Sequence, residues 1–339
     1  MKLLTLSIFV VSYFFFIWKK HHKAQVAWIA CAVLFLLGII RFTDIFTLIN
    51  WNVLGIFWGT LVLAELFSLS GAPAYCANFL VEKSKYANWA ILSVCLVAGA
   101  VSMFVENVAT VLIVAPLGLA IAQRLKVNPV PFLIAIAITS NLQGAATLVG
   151  DPPSIILAGF SDMNFNDFFF LSGKPSVFFA IQLGALASFG VLYFVFQKNR
   201  ERVGVWEKVR VVTWTPTLLL GFMILSLVGT SFLGSSPDHR LSFNLSGIIC
   251  LGFGLIGLVW RSLTGVEVRK FDGTESGTTL LSDTRLLGRE DWETFFFLAG
   301  IFLLVGSLSK VGIIDDLASF FIRFSGDNRL VAYLAIVWG

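Results

Sequence analysis

The stretch that decides the fold is residues 139–153, which read TSNLQGAATLVGDPP. It lies at the centre of Pro129–Phe160, a run of 32 residues whose only charge is Asp151. A continuous helix would not place Gly144, Gly150 and two prolines so close together. We expect a transmembrane helix that breaks at membrane depth and resumes at the prolines. Irregular backbone survives at that depth only inside protein or beside a water-filled cavity, so the break is a candidate binding site.

A second run also has an unusual length. Trp89–Ala122 contains 34 residues and the single charge Glu106. A membrane-spanning helix needs about 20 residues, so this run is too long for one helix and too short for two helices and a loop. Lys and Arg flank both ends, which places both ends on the cytoplasmic side. We therefore expect a re-entrant hairpin with Glu106, Asn107 and Thr110 at its tip.

Composition places the rest of the chain in a membrane. Of its 339 residues, 57% are apolar and 13% are charged, and the mean hydropathy is +0.87. Soluble domains have about 25% charged residues, so lipid must be the solvent for much of this surface. This excludes soluble enzymes and nucleic-acid binders. The four cysteines have no paired spacing, so they predict neither a disulfide framework nor a metal site.

Further charge-poor runs predict additional membrane crossings. With Lys19 and Lys20 inside, most of the 24 Lys and Arg fall in loops on the cytoplasmic side, which supports this map. The prediction is an all-α polytopic protein of the plasma (bacterial inner) membrane. The runs are Leu3–Trp18, Ala24–Ile40, Trp51–Val81, Pro175–Phe196, Val211–Pro237, Leu241–Trp260 and Thr294–Ser309.

The chain also contains an internal repeat with an offset of 241 residues. We expect residues 1–200 to form the first repeat, with the hairpin at 89–122 and the broken helix at 129–160. Residues 210–339 form a second, inverted repeat with a cytoplasmic loop at 261–290. The matched pairs are Trp51 with Trp292, Gly59 with Gly300, Leu63 with Leu304, Ser68 with Ser309, Gly71 with Gly312, Ala77 with Ala318 and Phe79 with Phe320.

The same offset places the counterpart of Asn107 near position 348, beyond Gly339. We therefore expect the sequence to be a fragment whose second repeat is incomplete. The second hairpin and the second broken helix, with their half of the binding site, would lie outside it.

The hairpin tip and the broken helix resemble the ion transporter superfamily. Its members include citrate and dicarboxylate permeases, arsenite permeases, certain sodium/proton antiporters and the melanosomal P protein. The tip at 106–110 looks like the family's Ser-Asn-Thr or Asp-Asn-Val-Thr motif, although Glu106 replaces Ser or Asp. Residues 144–153 look like its Gly-x-x-Thr-x-x-Gly-x-Pro-Pro motif. The Gly-Asp-Pro-Pro sequence is most similar to the arsenite-permease and P-protein branch.

The resemblance implies a secondary transporter that moves a small anion, either citrate-like or an inorganic oxyanion, by an elevator-type cycle. Na⁺ or H⁺ would be the coupling ion, with Na⁺ near Asn107 and Gly144 as one option, and no other cofactor is expected. The expected partners are the anionic solute, the lipid bilayer and a second copy of the chain in a homodimer. Pro152 and Pro153 would define the helix break. Candidate substrate and ion ligands are Glu106, Asn107, Thr110, Ser140, Asn141, Gly144, Thr147, Gly150 and Asp151.

Several of these residues have alternative structural explanations. Asn107 could cap a helix, and Thr110 could bond its own backbone. Glu106 could face a wet vestibule without binding an ion or proton. Asp151 before a proline is also a common helix start. Ser140 and Asn141 would line the break and are equally open to either role.

Other functions compete with anion transport. A Na⁺/H⁺ antiporter would use Glu106 or Asp151 to carry the proton. A channel is another option, but inverted repeats with broken helices favour alternating access. An intramembrane enzyme is the alternative from a different class. It is disfavoured because the predicted spans lack a His pair for a metalloprotease and a second aspartate for an aspartyl protease, so we expect no enzyme activity.

Overall fold

The computed structural model describes residues 1–18, 22–124, 128–199, 201, 211–233, 239–264 and 289–325. Most of these residues are helical, as predicted. Between Ser161 and Val177 lie a 3₁₀ turn, Asn166–Phe168, and an antiparallel hairpin of β1 (Phe170–Leu171) and β2 (Lys174–Pro175). The helices are α1 (Lys2–Trp18), α2 (Lys23–Leu36), α3 (Phe42–Leu48), α4 (Trp51–Leu69), α5 (Ala72–Lys83), α6 (Ala87–Ser102), α7 (Asn107–Arg124), α8 (Val130–Gly144), α9 (Pro152–Ser161), α10 (Val177–Phe196), α11 (Thr215–Leu233), α12 (His239–Thr264), α13 (Arg289–Lys310) and α14 (Ile313–Ser325).

In the described part of the chain, five helices are both long and apolar enough to cross a bilayer, which confirms a multi-pass membrane protein. They are Trp51–Leu69, Val177–Phe196, Thr215–Phe232, Leu245–Thr264 and Trp292–Lys310. The predicted spans at the start of the chain form α1 and α2, which have 17 and 14 residues. The predicted cytoplasmic loop 261–290 lies largely outside the described residues, since only its two ends are described.

The run Trp51–Val81 is two helices and not one continuous span, which corrects the sequence map. Gly71 adopts the left-handed conformation with φ of 75° and separates α4 from α5. Glycine populates this region without the steric cost that a Cβ would add. The second half of the chain repeats the same local device, because Gly312, with φ of 76°, lies between α13 and α14. Gly71 and Gly312 are partners in the predicted repeat.

The described residues form two compact units. One is drawn from Met1–Asn50 and Gly288–Gly339, and the other from Trp51–Leu287. Each unit therefore takes helices from both predicted repeats. In the first unit α13 packs on α2, whereas in the second α4 packs on α12. The division of the chain into inverted repeats at residues 1–200 and 210–339 stays a prediction.

Two ion pairs link separate helices of the first unit. Lys2 pairs with Asp316 of α14 at 2.5 Å, and Lys310 of α13 pairs with Asp44 of α3. The Lys310 side chain, followed by the backbone N–H of Arg41, lowers the pKa of Asp44 below its usual value. The Lys310–Asp44 pair lies at the surface, so its stabilising effect is expected to be small.

The second unit carries the interrupted helices. At the α4–α12 crossing, a Cβ added to Gly59 would lie 2.1 Å from the carbonyl oxygen of Cys250, so the helix backbones are in direct contact. A separate apolar cluster joins α6, α7, α8 and α10, with buried members such as Leu92, Val114 and Ile136. This cluster packs α6 and α7, which flank the hairpin turn, against α8, the first half of the broken helix.

Candidate functional site

The two segments that sequence length singled out are interrupted where predicted. Residues 103–106 form the turn between α6 and α7, and residues 145–151 separate α8 from α9. Residues 146–151 of the break are all buried. This agrees with the expectation that irregular backbone in a membrane protein must be covered by protein.

Two hydrogen bonds fasten the hairpin turn to the broken helix. The Ser140 hydroxyl donates to the backbone carbonyl of Asn107 at 3.0 Å and is also bonded to the Ser102 hydroxyl at 3.1 Å. The Thr147 hydroxyl donates to the backbone carbonyl of Met103. The Met103 carbonyl directly follows α6, where the helix supplies no N–H donor, so Thr147 of the break supplies one. Ser140 and Thr147 thus join the two elements.

A carboxamide pair links the same two elements at the surface. Asn107 Nδ2 donates to Asn141 Oδ1 at 2.9 Å. Asn141 is exposed and Asn107 is half-buried. Asn107 therefore uses its side chain across the junction, and the helix cap considered for it is provided by the preceding residue. An amide group has two N–H donors, so this pair can present further donors to a solute.

Glu106 and Asp151 begin their helices in the same way. A Glu106 carboxylate oxygen accepts the backbone N–H of Ala109 at 3.2 Å, and an Asp151 oxygen accepts that of Ser154 at 3.1 Å. Each carboxylate therefore caps the third residue of the helix that follows it. This is the common N-cap arrangement, and it also favours a negative charge at the positive end of the helix dipole. The helix-start interpretation of Asp151 is confirmed, while a role for it in binding remains a proposal.

Both carboxylates line one narrow cleft. The cleft has room for about one water molecule. Glu106 is half-buried there, and Asp151 is 7% exposed. The lining residues, all in the described part of the chain, include no Lys, Arg or His. They are Phe57, Thr60, Leu61, Glu106, Val149, Gly150, Asp151, Pro152 and Ile155.

The two candidate glycines allow the break to close on itself. A Cβ on Gly144 would lie 3.3 Å from Asp151 Oδ2, so the missing side chain lets the carboxylate approach the end of α8. A Cβ on Gly150 would lie 2.2 Å from the carbonyl oxygen of Gly144 and 2.9 Å from that of Ser102. Both glycines therefore have a steric role in the break.

The remaining candidates are Thr110 and the two prolines. Thr110 is buried, and its hydroxyl lies 3.5 Å from the carbonyl oxygen of Val105, a contact with its own hairpin turn. Pro152 lines the cleft, whereas Pro153 is exposed. The prolines occupy the first turn of α9, where an N–H has no helical partner.

Sequence reasoning missed four polar residues at this junction. Ser102 bonds Ser140, and Thr60 of α4 lines the cleft. The carboxamides of Gln143 and Gln182 form a reciprocal pair with donor–acceptor distances of 2.9 and 3.1 Å. Gln182 could have been found, because it is the one carboxamide in the apolar run of α10. Polar side chains in such spans have a strong preference for protein partners.

The chain is similar to known proteins, two of which, from bacteria, match it over nearly all of its length. An uncharacterized transporter of Mycobacterium tuberculosis is 29% identical over 337 residues, which cover 98% of this chain and 74% of that protein. The magnetosome protein MamN of Magnetospirillum gryphiswaldense is 28% identical over 99% of this chain and 74% of its own length. The P protein of Mus musculus is 31% identical over 159 residues, which are 47% of this chain and 19% of that protein.

A family model described as citrate transporter matches residues 13–339. The matched region includes the hairpin turn, the break and all nine candidate ligands. Together with the membrane helices and the transporter relatives, this assigns the chain to a class of membrane transporters. The chain belongs to the citrate transporter family.

Proposed function

We propose that the chain is a secondary active transporter that moves a small anion together with Na⁺ or H⁺. The observation that carries this proposal is the position of Glu106 and Asp151, which begin two separate half-helices and line one cleft. Interrupted helices whose ends meet at one point are the usual construction of ion and substrate sites in transporters.

The charge of the cleft favours a cation. Two carboxylates in a mostly apolar cleft repel each other, and desolvating an unpaired charge is costly. A bound Na⁺ or a proton relieves both penalties. A bare anion in this cleft would add to the repulsion, so the solute would bind after or together with the cation. Asn107 follows Glu106 in the chain, and its pair with Asn141 supplies neutral N–H donors suited to a carboxylate or an oxyanion.

The hydrogen bonds across the junction support an elevator-type movement. Ser140 and Thr147 connect the broken helix to the backbone of the hairpin turn. The two elements would therefore move as one body and carry the site between the two sides of the membrane. Such a body can expose the same ligands alternately without rebuilding them.

The test is uptake of labelled citrate by proteoliposomes that contain the purified chain, with an imposed Na⁺ or pH gradient. We expect saturable uptake that requires one of the two gradients and stops when that gradient is collapsed. Uptake that does not saturate, or that continues without a gradient, would indicate a channel. If citrate, dicarboxylates and oxyanions all fail to enter under either gradient, the proposal of anion transport is wrong.

Na⁺/H⁺ antiport is the second candidate, and the absence of Lys, Arg and His among the described lining residues of the cleft favours it. An antiporter needs a carboxylate that binds Na⁺ and H⁺ in turn, and Glu106 or Asp151 could do so. A pH-sensitive dye inside the same proteoliposomes would separate the two functions. Internal alkalinisation or acidification on a Na⁺ pulse, with no organic or inorganic solute added, would support antiport.

A further inference from the structure

The Gln143–Gln182 pair joins a third helix to the candidate site. Gln182 Nε2 donates to Gln143 Oε1 at 2.9 Å, and Gln143 Nε2 donates back to Gln182 Oε1 at 3.1 Å. Gln182 Nε2 also lies 3.9 Å from the sulfur of Met103. One side chain of α10 therefore contacts both the end of α8 and the hairpin turn between α6 and α7.

The pair acts on backbone that shapes the cleft. Gln143 immediately precedes Gly144, which faces the Asp151 carboxylate. The carbonyl of Met103 accepts the hydroxyl of Thr147 inside the break. A shift of Gln143 would therefore move the adjoining helix break. A shift of Met103 would move the hairpin turn that ends at Glu106.

The surroundings leave Gln143 little freedom. A Cβ on Gly99 of α6 would lie 3.1 Å from Gln143 Cγ, so the helix backbone packs directly against the glutamine stem. The carboxamide end of Gln143 is held by its two hydrogen bonds to the carboxamide of Gln182. In an apolar environment, unpaired amides are costly, so the reciprocal pair is retained strongly.

We propose that Gln182 is a positioning residue, which sets the distance between the hairpin turn and the helix break and thereby tunes cation binding in the Glu106–Asp151 cleft. This inference rests on the proposed function of that cleft. Gln182 is not among the residues that line the cleft. It acts through Gln143 and Met103.

The test compares four variants in the citrate uptake assay and in thermal unfolding of the purified protein. These are Gln182→Leu, Gln143→Leu, the double variant and Gln197→Leu. Gln197 is the matched control, since it follows the last residue of α10, is exposed and donates only to the Phe194 carbonyl.

We expect Gln182→Leu to raise the half-saturating concentration of the coupling cation about tenfold, the factor that corresponds to one net hydrogen bond. Each single variant should also unfold at a lower temperature, because it leaves a half-buried amide without its partner. The double variant should unfold at the wild-type temperature, because both polar groups are gone. Its half-saturating cation concentration should stay raised.

Two sets of results would overturn the inference. An unchanged half-saturating concentration in Gln182→Leu, or an equal shift in Gln197→Leu, would show that the pair does not tune the cleft. If the double variant recovers both the wild-type unfolding temperature and the wild-type half-saturating cation concentration, the glutamine pair has a purely structural role. Failure of the proposed function is visible separately, because wild-type protein would then show no cation-dependent uptake, and the inference would fall with it.

Discussion

Gly150→Ala tests the geometry of the helix break most directly. Gly150 does not have positive φ, so alanine is compatible with its backbone conformation, and the effect depends on space alone. The new Cβ would lie 2.2 Å from the carbonyl oxygen of Gly144 and 2.9 Å from that of Ser102. Both neighbours are backbone atoms in different elements, so neither can rotate away.

The size of the effect follows from these distances. To reach even 3.0 Å, the gap to Gly144 must open by about 0.8 Å, which is overpacking of a kind that costs about 1–3 kcal/mol. At the upper end, the equilibrium ratio of the native break to an altered one falls about a hundredfold. We expect a fall of similar size in the initial rate of gradient-driven uptake.

The assay is solute uptake by proteoliposomes, with thermal unfolding and the amount of inserted protein measured in parallel. Gly190→Ala in α10 is the matched control, since an added Cβ meets nothing within 4 Å there. Alanine in a helix is favoured over glycine by about 1 kcal/mol, so the control should fold and transport normally. Wild-type uptake by folded Gly150→Ala protein would refute the assignment of the break as a tightly closed part of the site.

The other predictions concern polar groups. Asn107→Ala should abolish uptake with little change in expression or unfolding temperature, because it removes N–H donors at the junction. The control is Asn128→Ala, which affects an exposed cap at the start of α8 and should transport normally. Normal uptake by the Asn107 variant would contradict the assignment of Asn107 to the site. Glu106→Gln should alter the pH dependence of uptake if Glu106 carries the proton, whereas an unchanged pH profile would leave it a structural cap. Asp44→Asn should lower the unfolding temperature at neutral pH, because Lys310 holds the pKa of Asp44 below its usual 3.8. The stabilisation that the Lys310–Asp44 ion pair gives is present above pH 3.8 and is lost as the pH falls through the lowered pKa of Asp44. The unfolding curves of the two proteins should therefore converge in acid. A difference that persists there would exclude the ion pair as its cause.

The sequence located the interrupted elements well. A run of 34 residues with one central charge placed the hairpin turn at Glu106, and α7 begins at the next residue. Gly-Asp-Pro-Pro placed the start of the second half-helix, and α9 begins at Pro152. These predictions held because helix length in a bilayer and the backbone limits of glycine and proline are local properties.

One local signal was overlooked. The apolar run from Trp51 to Val81 hid the break at Gly71, because hydropathy does not report the sign of φ. A glycine after α4 and another after α13, at the repeat offset, would have predicted two short following helices. The matching geometry at Gly71 and Gly312 is consistent with the predicted repeat but does not define its orientation in the membrane.

By itself, the sequence determined a multi-pass helical transporter and the two places where its helices are interrupted. Only the tertiary structure decided which side chains meet there. It pairs Asn107 with Asn141 and Gln143 with Gln182, and it brings Glu106 and Asp151 to one cleft. The physical reason is that hydropathy and chain length act residue by residue along one helix. Hydrogen bonds between residues more than 30 positions apart depend on how separate helices pack, and no local pattern encodes that packing.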